Sequence, residues 1–146
     1  MRILVWVFLV VIYISSCEKE KIDIATFEEC QGGEIQDSLA MRTKLVGKWK
    51  WVESQCGFCP AEDSQPIKAD KSVIATFDAD SFFSVEEESK IITRGTWQVK
   101  KYEFGCFIEF DTVSQYFSGW PRLCGRELLF DGRAYDGAVI LFAKVD

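Results

Sequence analysis

The fold class is decided by the stretch Leu45-Val46-Gly47-Lys48-Trp49-Lys50-Trp51, in which apolar and charged side chains alternate after a glycine. A period of two places both tryptophans on one face of a β-strand and both lysines on the other. The first predicted strand covers 46–54, and six similar runs follow at 72–78, 81–87, 90–100, 104–112, 126–131 and 137–145. Such short connections favour antiparallel pairing, so we expect about seven strands in one sheet that curls around its apolar face.

Alternation also assigns core positions in the two middle runs. In 104–112, Cys106 falls on the more apolar side. The acidic run Glu86-Glu87-Glu88 ends a predicted strand and is interpreted as a solvated turn, with a cation site as the alternative. In 90–100, the predicted core face carries Ile91, Thr93, Gly95, Trp97 and Val99.

Two residues of the opening stretch carry a family resemblance. Gly47-Lys48-Trp49 resembles the Gly-x-Trp motif of the lipocalins and of lipocalin-like bacterial lipoproteins, and the segments 95–99 and 138–145 are also similar to the bacterial group. The resemblance covers roughly residues 38–146. It implies a mainly β protein: an antiparallel up-and-down lipocalin-like β-barrel of about seven to eight strands after a short N-terminal helical turn.

The same resemblance implies roles for particular side chains. Gly47 would bend the chain into the first strand, and Trp49 would plug the closed end of the barrel. Lipocalins place an arginine of the last strand over this tryptophan, and here Lys144 is the available cation. A small apolar ligand is implied too, with Trp51, Trp97 and Phe110 as candidate lining residues.

The N-terminus has the anatomy of an export signal. Arg2 precedes an uncharged run from Ile3 to Ile14, which is shorter than the roughly 20 apolar residues that a transmembrane helix needs. The run ends in Ile14-Ser15-Ser16-Cys17, which resembles the lipobox of bacterial lipoproteins. That resemblance implies that residues 1–16 are a lipoprotein signal peptide and that Cys17 becomes an acylated N-terminus carrying fatty acids such as palmitate.

The acylated Cys17 would make the lipid bilayer the first partner of this protein. Glu18, rather than an aspartate, follows the cysteine, which favours the cell outer membrane over retention in the inner membrane. We therefore expect a lipid-anchored protein of the bacterial cell envelope.

Between lipid and barrel the sequence predicts a lipidated tether, residues 17–36, rich in charge and containing Gly32-Gly33. Three apolar residues within it, Ile22, Ile24 and Phe27, are suited to pack on the domain. The domain itself is expected over 37–146, beginning with a short helical turn at 37–43 that Asp37 or Ser38 caps.

Five further cysteines are expected to pair in an oxidising envelope. Two bridges among five thiols allow many connectivities, and the expected one ties the Cys56/Cys59 loop to Cys106 and Cys124, leaving Cys30 unpaired. Cys56-Gly57-Phe58-Cys59-Pro60 also resembles the Cys-x-x-Cys-Pro site of thioredoxin-like oxidoreductases. A zinc site built from Cys56, Cys59, Cys106 and Cys124 is a further alternative.

Composition narrows the function classes. The chain has 17 basic and 23 acidic residues and no histidine, so it lacks the basic stripe of a nucleic-acid-binding protein and the commonest general base and metal ligand. No catalytic motif stands out, so no enzyme, metal or cofactor is predicted. The aromatic loop 116–121 is expected to pack over the core, with a carbohydrate platform or barrel portal as the alternative.

These observations predict a membrane-anchored envelope lipoprotein with a lipocalin-like binding domain. Its partner would be a small apolar molecule or another envelope protein, and no nucleic acid. The alternative is a structural or protein-interaction module with a filled core, which the short domain supports. A Cys-x-x-Cys thiol–disulfide oxidoreductase is the third function class, and it requires Cys56 and Cys59 at the start of a helix.

Overall fold

The structure, a computed structural model, describes residues 22–30 and 37–146. Within those ranges two helices precede nine strands, and a short 3-10 turn at Arg133–Tyr135 precedes the last strand. The elements are α1 Ile24–Glu28, α2 Ser38–Leu45, β1 Gly47–Gln55, β2 Ile67–Lys68, β3 Val73–Phe77, β4 Phe82–Glu87, β5 Lys90–Tyr102, β6 Gly105–Phe110, β7 Trp120–Cys124, β8 Glu127–Asp131 and β9 Val139–Val145.

The strands form an eight-stranded, nearly closed antiparallel barrel, which confirms the predicted fold class. The hydrogen-bonded order is β6-β5-β4-β3-β1-β9-β8-β7, with the short β2 pairing on β1. The last strand returns to the first, as Trp51 opposite Phe142 shows. At the seam between β6 and β7, the rings of Phe107 and Trp120 pack edge to face with centroids 5.4 Å apart.

Strand β7 is absent from the strands that the sequence predicted. Gly119 and Pro121 make this segment resemble a loop, and Pro121 has no amide hydrogen for a ladder. The structure accommodates the proline because β7 lies at an edge and pairs on one side only, with β8.

Two β-bulges change which face a side chain occupies. In β1, Trp51 pairs with Phe142 but Glu53 pairs with Leu141, so Val52 is the extra residue and Glu53 turns to the outer face. In β5, Thr93 pairs with Val85 but Ile91 pairs with Glu86. The predicted core position of Ile91 is therefore wrong, and its side chain is 54% exposed.

Helix α2 covers one end of the barrel, here called the closed end. The predicted helical turn is confirmed as a helix, and its N-cap Asp37 accepts a hydrogen bond from the Leu39 amide at 2.9 Å. Met41 and Leu45 point into the core. The opposite end, here called the mouth, carries the connections 56–66, 88–89, 111–119 and 132–138.

Strand β5 passes from pairing with β4 to pairing with β6 between Thr96 and Trp97, just after Gly95. The Asp111 carboxylate lies against the backbone there and accepts hydrogen bonds from the Thr96 amide, at 2.7 Å, and the Thr96 hydroxyl, at 2.9 Å. A Cβ at position 95 would overlap this carboxylate and approach Thr112 Oγ1 to 2.7 Å. The position of the Asp111 carboxylate therefore depends on a glycine at position 95.

Gly95→Ala is expected to destabilise the barrel by roughly 2–3 kcal/mol, because Asp111 must leave its position. The Thr96 amide should lose its hydrogen-exchange protection. Gly125→Ala is the matched control, since open space surrounds a Cβ there. That control should cost about 1 kcal/mol for the left-handed backbone and leave the Thr96 amide protected. Equal protection of Thr96 in both variants would contradict the assignment.

Candidate functional site

Trp49 lies at the closed end, where the family resemblance places a plug. Its side chain is 1% exposed, and its indole Nε1 donates to the Leu45 carbonyl at 2.7 Å. Lys144 Nζ lies 5.0 Å from the ring centroid and donates to the Lys44 carbonyl at 2.7 Å. Gly47, at φ +130°, allows the Lys144 stem to approach, since a Cβ would meet its Cε at 3.1 Å. A lysine thus takes the position over the tryptophan.

The three candidate ligand-lining residues pack in or against one core cluster, but at different positions along the barrel. Trp97 belongs to the closed end, where its Nε1 donates to the Phe82 carbonyl at 2.9 Å and the Arg42 guanidinium lies 5.3 Å from its ring. Trp51 contacts Tyr116 near the mouth, with ring centroids 5.7 Å apart. Phe110 is the direct cross-strand partner of Trp97 and packs in the same aromatic interior.

Phe117 is partly buried and packs into the aromatic interior of the barrel. It comes from the mouth connection 111–119, and its ring stacks on Phe110 with centroids 4.9 Å apart. Four more rings surround it at centroid distances of 5.1–6.1 Å, namely Phe77, Phe83, Phe130 and Phe142. This side chain occupies the space that an apolar ligand of a lipocalin-like barrel would take.

The aromatic loop 116–121 packs as the sequence predicted over most of its length. Tyr116 is 4% exposed and Phe117 packs against the core. Trp120 alone turns to the outer face, where it contacts Phe107 across the seam. The loop is therefore part of the core and of the barrel's closure.

A polar group closes the mouth above Phe117. Glu87 accepts hydrogen bonds from Lys71 Nζ at 2.7 Å and from the Tyr116 hydroxyl at 2.9 Å. The hydrogen bond from Lys71, followed by that from Tyr116, lowers the pKa of Glu87. Burial, followed by the bond to Glu87, raises the pKa of Tyr116. The solvated turn predicted for Glu86-Glu87-Glu88 is thus wrong for Glu87, which pairs with the inward-facing Val73.

One donor near this polar group has no partner. Within the part of the chain that the structure describes, the buried indole Nε1 of Trp51 makes no hydrogen bond. A buried donor left unpaired costs about 1–3 kcal/mol. The sequence identified Trp51 as a lining residue, but only the structure distinguishes its free N–H from the bonded indoles of Trp49 and Trp97.

The cysteine pairing differs from the prediction. Cys30 pairs with Cys124, Cys56 pairs with Cys59, and Cys106 is a buried free thiol. The expected bridges from the Cys56/Cys59 loop to Cys106 and Cys124 are therefore wrong. Cys106 faces the barrel core, while Cys124 lies on the outer face, where helix α1 brings Cys30 to a Cα distance of 6.4 Å.

The Cys56–Cys59 loop lies at the mouth without a following helix. Only a turn comes after it, with the Asp63 amide donating to the Pro60 carbonyl at 2.9 Å. Gly57 packs against Gly137 and Arg133, where a Cβ would overlap the Gly137 carbonyl. The helix N-terminus that activates the first thiol of thioredoxin-like sites is missing at this position.

Residues 22–30 of the predicted tether dock on the outside of the barrel. Asp23 caps α1 by accepting from the Thr26 amide at 2.8 Å, and Glu53 Oε2 accepts from the Ile24 amide at 2.7 Å. Phe27 is fully buried. The second apolar cluster, on the outer face, comprises Ile24, Phe27, Leu129, Val139 and Leu141.

Charged contacts and a disulfide hold the other end of α1. Glu28 forms ion pairs with Arg122 at 3.0 Å and with Arg133 at 2.9 Å. The Arg122 guanidinium also lies 5.3 Å from the Phe27 ring centroid. Cys30, two residues beyond the helix, bonds covalently to Cys124 of β7. This segment is a built part of the domain, and the other tether residues, 17–21 and 31–36, lie outside the described ranges with Cys17 and the signal peptide.

The described residues, 22–30 and 37–146, contain neither a metal-binding cluster nor a membrane-spanning helix. No group of three or more histidine, cysteine, aspartate or glutamate side chains there is arranged to hold a metal ion. Nor does any helix in those ranges have the length and apolar character needed to span a bilayer.

Replacing Phe117 with alanine is expected to destabilise the protein by about 3 kcal/mol, because the ring's contacts are lost and a cavity remains. Urea unfolding measures the loss. Phe104→Ala is the control, since this residue is 78% exposed in the β5–β6 turn, and it should change stability by less than about 0.5 kcal/mol. Similar losses in the two variants would show that Phe117 does not fill the core.

The lowered pKa of Glu87 predicts a pH-dependent contribution to stability. The stabilisation is present above the unfolded pKa, about 4.3 for glutamate, and is lost as the pH falls through the lower folded value. Glu87→Gln should therefore lower the thermal midpoint at pH 7 and lose most of that effect at pH 3. Glu103→Gln, at an exposed turn position, is the control. A Glu87→Gln effect that is independent of pH would contradict the prediction.

Comparison with known proteins finds no match: no family model fits the chain, and neither a curated protein nor a solved structure is significantly similar to it. Function must therefore be inferred from the residues of this chain.

Proposed function

We propose that this protein is a lipid-anchored lipoprotein of the bacterial cell envelope whose barrel serves as an interaction module with a filled core. The position of Phe117 favours an interaction module over a carrier of a small apolar molecule. Its ring lies among five others, in the volume that a ligand would need. A side chain supplied by the protein's own loop makes the interior a packed core.

Exposed apolar side chains at the mouth support an interaction role. Exposed apolar side chains that lie near one another favour contact with a partner. Six such side chains on the mouth connections and adjoining strand ends are 44–94% exposed: Phe58, Ile67, Ile91, Ile92, Val113 and Tyr135. Five more are exposed at the closed end: Leu39, Phe82, Tyr102, Phe104 and Val145.

The lipid anchor rests on the sequence Ile14-Ser15-Ser16-Cys17 and on the apolar run before it. Two or more acyl chains give stable anchoring, at about 0.8 kcal/mol per buried CH₂. The acidic body, with a formal net charge of −6 for the whole chain, adds no general attraction for anionic lipids. The acyl chains on Cys17 would thus supply the membrane affinity.

A second candidate function is carriage of a small molecule near the mouth. The unpartnered Trp51 Nε1–H favours it, because a ligand oxygen there would satisfy the donor. Such a ligand would contact Tyr116 as well, whose ring adjoins Trp51.

Metabolic labelling with palmitate tests the anchor. The natural chain is expected to incorporate label and to appear in the membrane fraction at the mass of the acylated form beginning at Cys17. Cys17→Ala should lose label completely, whereas the control Cys30→Ser should keep it. Labelled Cys17→Ala protein, or unlabelled natural protein, would refute the anchor.

Native mass spectrometry of protein purified from the envelope distinguishes the interaction module from the small-molecule carrier. The filled-core proposal expects the mass of the acylated chain with no additional bound molecule. Trp51→Phe keeps an aromatic ring but removes the N–H donor. A co-purified small molecule that is lost in this variant would favour the carrier instead.

A further inference from the structure

The docked segment 22–30, here called the strap, determines how far the barrel can stand from its anchor. Cys17 is only five residues upstream of Ile22, a reach of at most about 18 Å at 3.3–3.6 Å per residue. A tether free as far as Asp37 would span twenty residues and roughly 65–70 Å. The strap therefore shortens the link between lipid and domain about fourfold.

The strap is attached to one side of the barrel. It crosses the outer face along a row of paired residues, with Glu53 opposite Leu141, Leu141 opposite Leu129, and Leu129 opposite Arg122. We call the outer face of β7, β8 and β9 with the end of β1 the strap wall. In the eight-stranded ring, β4 and β5 lie diametrically across from β8 and β9. Their outer face is the far wall.

Several independent contacts keep the strap in place. Its first turn is held by the Ile24 amide on the buried Glu53 carboxylate, its middle by the fully buried Phe27, and its end by the Cys30–Cys124 bridge. Opening any one of these leaves the other two. The short reach is consequently a property of the folded domain.

We propose that the strap orients the barrel on the membrane, so that the strap wall is held against the bilayer surface by the short chain to acylated Cys17. This inference rests on the lipid anchor of the proposed function. The far wall, with the barrel's full width between it and the strap, then faces away from the lipid.

The orientation arises from tether length and not from charge. A groove of about 490 Å³ beside Ile22 on the strap wall is lined by Arg126 and also by Glu29 and Glu127, whereas the ammonium of Lys144 turns away to the closed end over Trp49. The groove therefore has no basic patch that would favour anionic over zwitterionic lipid. The contact should be the same on membranes of either composition.

The test places nitroxide-labelled lipid headgroups in phosphatidylcholine nanodiscs that carry the acylated protein and measures relaxation enhancement of backbone amides. Strap-wall amides such as Glu29 and Arg126 are expected to relax faster than far-wall amides such as Ser84 and Arg94 by about threefold or more, because they lie nearer to the lipid. Adding phosphatidylglycerol should not change this ratio. Equal enhancement on both walls, or a larger one on the far wall, overturns the proposal.

A longer tether provides the matched control. Inserting about twenty Gly-Ser residues between Lys21 and Ile22 leaves every described contact intact, and the contrast between the walls should disappear. A contrast that survives the insertion would show that the wall binds lipid by itself, which also overturns the proposal. The combined variant Glu53→Ala, Phe27→Ser, Cys30→Ser, Cys124→Ser removes all three attachments of the strap and should lose the contrast in the same way. Cys56→Ser with Cys59→Ser should keep it.

Failure of the lipid anchor can be distinguished from failure of the orientation. The intact mass of the envelope protein decides whether Cys17 is acylated. A chain that begins at Cys17 can also be coupled to a maleimide lipid through the Cys17 thiol. The relaxation of its strap-wall and far-wall amides can then be compared whether or not cells acylate the protein. If Cys17 is acylated but the two walls relax equally, the orientation by the strap is refuted. If the coupled protein shows the difference between the walls but cells do not acylate Cys17, only the lipid anchor is refuted.

Discussion

The extra residue at Val52 is the constraint on which the arrangement of core and strap depends. Before it, the alternation of β1 directs Trp49 and Trp51 inward. After it, the register shift turns Glu53 outward, where its carboxylate is 4% exposed. A buried carboxylate requires partners, and here the Ile24 amide and the Lys68 ammonium supply them at 2.7 and 2.9 Å. Because of this one inserted residue, β1 packs its tryptophans in the barrel interior and directs Glu53 to the helix on the outside.

The interior is filled from both ends. Helix α2 contributes Met41 and Leu45 at the closed end, and the mouth connection contributes Phe117. Above that ring, the Lys71, Glu87 and Tyr116 side chains form a bonded polar layer. A barrel with such short connections has few residues with which to build a chamber, and its loops supply core side chains instead. This packing supports the proposed interaction module over a hollow carrier, although the topology is that of an up-and-down barrel.

Sequence reasoning succeeded where the signal is local and regular. The seven predicted strands all exist, because alternation over five or more residues records which face of a sheet is buried. It failed where a regular pattern is interrupted. Ile91 was assigned to the core because a bulge leaves no mark in the alternation, and β7 was missed because its proline and glycine resemble a loop. Glu87 was assigned to solvent because no local pattern shows that Lys71 and Tyr116 lie beside it.

By itself the sequence determined the strand faces, the helix before β1 and the antiparallel class, since each follows from residues only a few positions apart. Only the tertiary structure decided the disulfide pairing, the filling of the barrel and the docking of residues 22–30. The Cys30–Cys124 bridge joins residues 94 positions apart, and the ion pair of Glu28 with Arg133 spans 105. Contacts between residues so far apart in sequence form only when β9 pairs with β1, because that pairing completes the wall on which α1 lies. Their partners depend on the closed sheet, and no stretch of sequence carries that information alone.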